Sequence, residues 1–309
     1  MDILVIGYNA FDVTVPVQGL PPVDSKCAVT EILHGGGGPG ATAAVCLAKL
    51  GARVRLITMM GDDEGAAVQR GELEAAGVDL SLVQTAPGHR SPQAVILADP
   101  AAETRTIFWS RGTLPPLDPS TMQDDWLHGC DLLYCDGHDP LAATRLAEAA
   151  QRLDMPVVMD AGSVRQGSAA LVAACSDVLS SRGFAPDLTG CPAPADALVA
   201  LRDLGPRRVA MTFGAAGVLA LSEDGDSIIH VPAFEVPVVD TTGAGDVFHA
   251  GYALARARGE SWSRSLELGA AVAALKCRDW GGRRGLPTLG EAEHLRDHGR
   301  KRSDRPAED

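Results

Sequence analysis

Short apolar runs alternate with longer segments of helical apolar spacing along most of the chain, and this alternation restricts it to a parallel sheet covered by helices. The runs Ile3–Ile6, Arg53–Met59, Leu132–Cys135, Val157–Asp160, Asp177–Leu179, Arg208–Thr212 and Val218–Ser222 predict strands. Helices are expected over Gly40–Leu50, Glu64–Ala76, Pro140–Arg152, Ala193–Leu204, Asp246–Arg258 and Trp262–Cys277. Most of the strands lack a strict two-residue alternation of apolar and polar side chains, as expected when both sheet faces are buried. The fold class is therefore α/β: a doubly wound, mostly parallel sheet flanked by helices. A chain of 309 residues is long enough for one large core of this kind.

Two segments break the rhythm. Val13–Val17 with Cys27–Leu33, and Ala94–Ala98 with Thr104–Trp109, have period two and turn residues between them, Pro21-Pro22 and Asp99-Pro100. They predict a small β lid inserted as residues 12–34 and 92–112. The stretch 291–309 is charged, passes through Arg300-Lys301-Arg302-Ser303-Asp304-Arg305-Pro306, and is expected to be a tail that frays at its end.

The chemistry is concentrated in Asp240-Thr241-Thr242-Gly243-Ala244-Gly245-Asp246. Phe234–Val239 before it reads as a strand and Val247–Ala255 after it has helical apolar spacing, so the glycines fall at a helix N-terminus. Unpaired N–H groups and the positive end of the helix dipole stabilise an anion there, including charge on a transferring phosphoryl group. Asp246, in the first turn, has the placement a general base needs for a hydroxyl. A glycine turn capped by an Asp is also an ordinary helix start. The wider match of the chain favours the chemical reading.

D-T-T-G-A-G-D-V-F resembles the signature of the ribokinase (PfkB-type) carbohydrate kinases, and the likeness extends from the first strand to about Pro287. The resemblance implies a kinase domain over 1–290 that phosphorylates a hydroxyl of a small sugar or sugar derivative with ATP and Mg2+. It places the catalytic base on Asp246 and the anion hole on Gly243, Ala244 and Gly245, with Thr242 beside the nucleotide. It also implies a monovalent cation, K+, near Asp240 and Thr242, and a homodimer formed through the lid. A nucleoside acceptor, as in adenosine-kinase-like members, is the alternative on the same fold. A catalytically silent sugar or nucleotide sensor would have no need of an intact base and anion hole.

Gly35-Gly36-Gly37-Gly38-Pro39-Gly40 formally satisfies a dinucleotide fingerprint, but it comes about thirty residues after the first strand instead of directly behind it. With the alanine-rich segment 41–51 that follows, it resembles the family's diglycine loop, which would let a sugar lie on Gly37 and Gly38. The family's usual Asn is replaced by Thr42. By the same likeness Asp12 accepts hydrogen bonds from sugar hydroxyls, for which a carboxylate is suited. Lys26, Trp109, Arg111 and His138 are further candidates for the acceptor pocket, with Lys26 and His138 the better placed.

On the nucleotide side, Thr212-Phe213-Gly214-Ala215-Ala216-Gly217 resembles a T-x-G-x-x-G loop, with Thr212, Gly214 and Gly217 facing phosphate. Ala273-Ala274-Leu275-Lys276-Cys277 followed by Gly281-Gly282-Arg283-Arg284-Gly285-Leu286-Pro287 resembles the ketohexokinase and sulfofructose kinase branches, and places Ala274 and Cys277 near the adenine. Leu188-Thr189-Gly190 is present, but Ser181-Arg182-Gly183-Phe184 stands where the family's N-x-x-E element, which organises magnesium, is expected. Trp109 and His138 stand where sulfonate-binding Asn and Arg would be, which disfavours a sulfosugar.

The net charge of −13 gives no basis for nucleic-acid binding or attraction to anionic membranes. The start Met1–Gly7 reads as a buried strand and lacks the basic region of a secretory signal. Seven cysteines without a C-x-x-C pair suggest neither a disulfide framework nor a zinc site, and a cytoplasmic setting is expected. There is no G-x-S-x-G or H-E-x-x-H element for hydrolysis.

Overall fold

The computed structural model describes residues 1–102 and 104–306. Its centre is an eight-stranded sheet in the order Ile228–Val231, Val218–Leu221, Arg208–Thr212, Asp177–Ser181, Val157–Ala161, Leu132–Cys135, Asp2–Ile6, Arg53–Ile57. The six strands from Arg208–Thr212 to Arg53–Ile57 pair in parallel. The connection through Gly214–Ala216 is too short for a crossover helix, so Val218–Leu221 and Ile228–Val231 join antiparallel at the edge.

Successive residues of the first strand enter opposite cores. Ile3 and Val5 pack with helices Pro39–Lys49, Ala244–Ala257 and Trp262–Lys276, while Leu4 and Ile6 pack with Pro140–Arg152, Ser168–Ala174 and Pro194–Asp203. Burial on both faces is the physical reason these strands read as continuous apolar runs.

The inserted segments form one four-stranded sheet, Leu33–Gly37, Ala10–Pro16, Gln93–Asp99 and Thr104–Ser110, in which the two middle strands run parallel. The first hairpin differs from expectation. Its return strand is not Cys27–Leu33 but Leu33–Gly37, so the glycines themselves pair with Ala10, Phe11 and Asp12. At Gly36 and Gly37 a Cβ would take the space held by the Arg283 guanidinium and the Asp12 carboxylate, as described below.

Phe234–Val239 is also not a strand. Pro237 removes a donor from it, and its ladder pairing is an isolated bridge from Phe234 to Lys301, while Val239 N donates to the Cys277 carbonyl. The edge strand Ile228–Val231 and the helices Ser168–Ala174 and Phe184–Thr189 were not legible from the pattern. The segment expected as a tail begins with the helix Leu289–His298, started by a capping box between Thr288 and Glu291 and seated by the buried Ala292. Residues 307–309, where fraying was expected, lie outside the described residues. Among the described residues, no helix is long and apolar enough to cross a membrane.

Candidate active site

The helix Ala244–Ala257 starts where Gly243 adopts φ 75°, a conformation that favours glycine. A methyl on Gly243 would lie 2.9 Å from Gly282, so the two glycine loops touch backbone to backbone. Asp240 braces the turn. Its Oδ1 accepts from the Thr242 N–H at 2.8 Å and from the Thr242 hydroxyl at 2.7 Å, and its Oδ2 accepts from the Gly281 N–H at 2.8 Å. From the lid, Arg105 Nη1 donates to Thr241 Oγ1 at 3.0 Å, which sets a guanidinium over the same loop.

Gly245 is exposed, and a methyl added there would meet no protein atom. Next to it, Asp246 is partly buried. Desolvation, reinforced by the charge of Asp160 and opposed by His249 and Arg105, pushes its carboxyl up to about 7. Behind it, His249 Nδ1 lies 3.1 Å from Asp160 Oδ2, which also accepts from the Tyr134 hydroxyl at 3.2 Å. Burial opposes the imidazolium, but Asp160 and Asp246 outweigh it and raise His249 above its usual value. Three residues on along the helix Ala244–Ala257, His249 is a buried neighbour of Asp246, one turn away.

On the acceptor side, the Asp12 carboxylate lies across the face of Gly37, in the space a Cβ would fill. Burial pushes Asp12 up to about 6, with Arg283 opposing and Glu72 adding to the rise. Gly38 has φ 83°, and a methyl there would come within 2.6–2.9 Å of the backbone of Tyr8, Asn9 and Ala10. Thr42 is buried, its hydroxyl 3.5 Å from Arg283 Nε.

Arg283, in the motif whose helix end is expected near the adenine, reaches the Gly35–Gly38 loop and Asn9. Its Nη2 donates to the Gly37 carbonyl at 2.6 Å and to Asn9 Oδ1 at 3.1 Å, and its Nη1 lies 3.4 Å from Glu72 Oε2. Because the preceding residue, Gly282, packs on Gly243, one short loop pins the Gly35–Gly38 loop to the Asp240–Gly243 turn. Asp136 does similar work, its Oδ2 accepting from Tyr8 N at 2.6 Å and Gly40 N at 2.8 Å.

His138 stacks on Tyr8 with ring centroids 4.2 Å apart and takes an Arg165 N–H at Nε2, 3.0 Å. Burial lowers its pKa, with Asp136 and Asp139 opposing and Arg165 and Arg111 adding, which favours the neutral ring. Of the other acceptor candidates, Trp109 shares the lid face of Asp12, in register with it across Ala94, and is 63% exposed; Lys26 lies in the exposed stretch 18–28, and Arg111 is bound to Asp139 at 3.0 Å.

On the nucleotide side, Thr212 ends its strand with its hydroxyl donating to the Ser180 carbonyl at 3.3 Å. Gly214 and Gly217 take φ 57° and 89° in the turn that follows. Ala274 and Cys277 close the helix Trp262–Lys276, and the Cys277 carbonyl accepts from Val239 N and Asp240 N at 2.8 and 3.2 Å. No group of three or more His, Cys, Asp or Glu able to cage a metal occurs among the described residues.

A doubly wound sheet, a helix N-terminus opened by glycines and a carboxylate beside it define an enzyme that moves a phosphoryl group from ATP to a hydroxyl. The family model of the pfkB family carbohydrate kinases matches residues 1–289, and the chain belongs to that family. It is 30% identical to the ATP-dependent ribose-1-phosphate kinase of Halopiger xanaduensis over 277 residues, 88% of this chain and 90% of the relative. It is 26% identical to the nucleoside kinase of Methanothermobacter thermautotrophicus, covering 94% of each. The solved structure of Arabidopsis thaliana ribokinase complexed with ribose and ATP superposes with a TM-score of 0.77 at 23% identity, covering 95% of this chain and 98% of that one, and supports the fold. ATP with Mg2+ fits this family.

Proposed function

We propose that the acceptor is a small sugar or sugar derivative, held on Gly37 and Gly38 with its hydroxyls on Asp12, and that Asp246 removes the proton of the hydroxyl as it attacks the γ-phosphate. The observation that carries this reading is the loop through Gly282 and Arg283, which packs on Gly243 and holds the Gly37 carbonyl at 2.6 Å. It fixes acceptor loop and phosphate loop in one frame, and such fixed geometry is the main source of rate in phosphoryl transfer. The amides of Gly243 and Gly245 would receive the charge developing on the phosphoryl group, while the Ala244 N–H already donates to the Thr241 carbonyl at 3.2 Å. An Asp246 carboxyl near 7 suits a base working close to neutral pH.

Thr212, Gly214, Gly217 and Thr242 would line the phosphates, with Ala274 and Cys277 toward the base. Magnesium when bound neutralises phosphate charge. No group of three or more His, Cys, Asp or Glu able to cage it occurs among the described residues, which fits an ion held mainly by ATP and water. Val95 and Phe108, paired across the lid, are both exposed on one lid face, and this apolar pair supports dimerisation through the lid. The absence of disulfides among the described residues agrees with a cytoplasmic setting.

A nucleoside acceptor is the second reading, favoured by the Tyr8–His138 stack, an aromatic surface beside the acceptor loop. Coupled ADP release measured across ketoses, aldoses, sugar acids, sulfosugars and nucleosides separates the two. Turnover confined to nucleosides would replace the first reading with the second, and binding without turnover in every class would leave a sensor.

A further inference from the structure

The family resemblance implies K+ beside Asp240 and Thr242, but the residues present do not fit a bound alkali ion. Asp240 Oδ1 accepts two hydrogen bonds from Thr242 within the turn, and Oδ2 accepts one from the Gly281 N–H of the facing loop, so the carboxylate is held in place by the protein itself. The carbonyl oxygens that converge beneath it already have a cation. Lys276, 0% exposed at the last turn of the helix Trp262–Lys276, donates from Nζ to the Asp240 carbonyl at 3.0 Å and to the Asp279 carbonyl at 3.3 Å.

We infer that the Lys276 ammonium is a tethered replacement for a monovalent cation, and that it organises the Asp240–Gly243 loop without K+. Three observations carry this. An ammonium without solvent is tolerated only when charge or dipoles surround it, and here it has two carbonyls, the Asp240 carboxylate and the negative end of its own helix. The loops it joins are the two that meet at Gly243 and Gly282, directly beneath the anion hole. The neighbouring Cys277 carbonyl accepts from Val239 N and Asp240 N, so the residue after Lys276 also ties the helix end to this loop. Carbonyls aimed at one point repel one another unless a positive charge stands there. Supplying it from the chain removes any dependence on the salt present.

Turnover, ADP affinity and melting temperature of the wild-type protein should agree within about 2-fold, or within the error of the melt, between K+ and tetramethylammonium at equal ionic strength. A gain of about 10-fold or more in turnover or ADP affinity on adding K+ would overturn the inference. Lys276→Gln keeps hydrogen-bond donors but removes the charge, and should lower kcat/KM for ATP and ADP affinity by roughly 10- to 100-fold, the scale of lost charge-assisted hydrogen bonds. Lys276→Ala, which opens room for a small ion, should recover part of that loss with ammonium or K+. A folded Lys276→Gln protein with wild-type ADP affinity would show that the charge is not needed and would also overturn it. Turnover as a readout rests on the acceptor reading proposed above. ADP binding and melting do not, so they decide the question even if no acceptor is phosphorylated, and the wild-type salt comparison decides it if neither variant folds.

Discussion

Asp246→Asn should make the protein nearly inactive and more stable, and the two effects have one cause. Burial beside Asp160 moves the carboxyl from 3.8 to about 7, so the fold binds this proton more tightly than the unfolded chain does. Below about pH 4 both states are protonated and the site costs nothing. As pH rises toward 7 the unfolded chain ionises first, and the penalty on the fold grows. At pH 8 it is fully present, on the order of 4 kcal/mol at 1.36 kcal/mol per pKa unit. Asn has no charge to desolvate, and the His249–Asp160 pair behind it stays in place. The variant should therefore melt roughly 4–8 °C above wild type at pH 8 and close to it near pH 4, where the wild-type site is neutral. Its turnover should fall by about 10²–10⁴-fold, the scale of a lost general base. Calorimetry over the pH range and a coupled assay at pH 8 measure both. Equal melting at pH 8 would refute the desolvated carboxylate, and turnover within 10-fold of wild type would remove Asp246 from the chemistry.

Arg283→Met leaves Glu72 and Asp12 without their buried counter-charge and frees the Gly37 carbonyl, so kcat/KM for the acceptor should drop by about 100-fold or more, with ADP affinity changing far less. A loss confined to ADP binding, seen by titration calorimetry, would place Arg283 on the nucleotide side. Asp12→Ala should cost about 2–4 kcal/mol in acceptor kcat/KM with the KM for ATP nearly unchanged. An effect on ATP alone would put Asp12 on the wrong side of the cleft. Gly245→Ala should fold normally, since nothing in the protein opposes the methyl, yet depress kcat because the phosphoryl group does. Gly38→Ala should lower the melting temperature through its clash with the Tyr8–Ala10 backbone. A normal melt for Gly38→Ala, or normal kcat for Gly245→Ala, would contradict the respective placement.

The parallel strands and main helices were legible because burial on both faces writes itself as apolar runs, and Leu132–Cys135 and Pro140–Arg152 have the bounds expected. Asp246 and Gly243 could be placed because a glycine turn before an apolar helix is a local pattern. What lay beyond reach was set by contacts distant in sequence. The run Gly35–Gly37 looks like a loop until Asp12 and Arg283, from opposite ends of the chain, take the space a Cβ would need at Gly37 and Gly36. Arg283 itself sits in a motif that points to the nucleotide, and only the Gly282–Gly243 contact shows which way it turns. Lys276 offered one signal, a lone charge in an otherwise apolar helix end, but no partner visible in its neighbourhood. Ile228–Val231 is too short and too much at the edge to separate from its turns.

The pH dependence of single-turnover phosphoryl transfer by the wild-type enzyme, with ATP and the best acceptor of the panel, tests the central claim most directly. The expected rate is level above about pH 7 and falls tenfold per pH unit below it as Asp246 takes up its proton, with acceptor affinity weakening further below about 6 as Asp12 does. A phosphoryl-transfer rate that stays level from pH 8 down to pH 5 would contradict a carboxylate base at position 246.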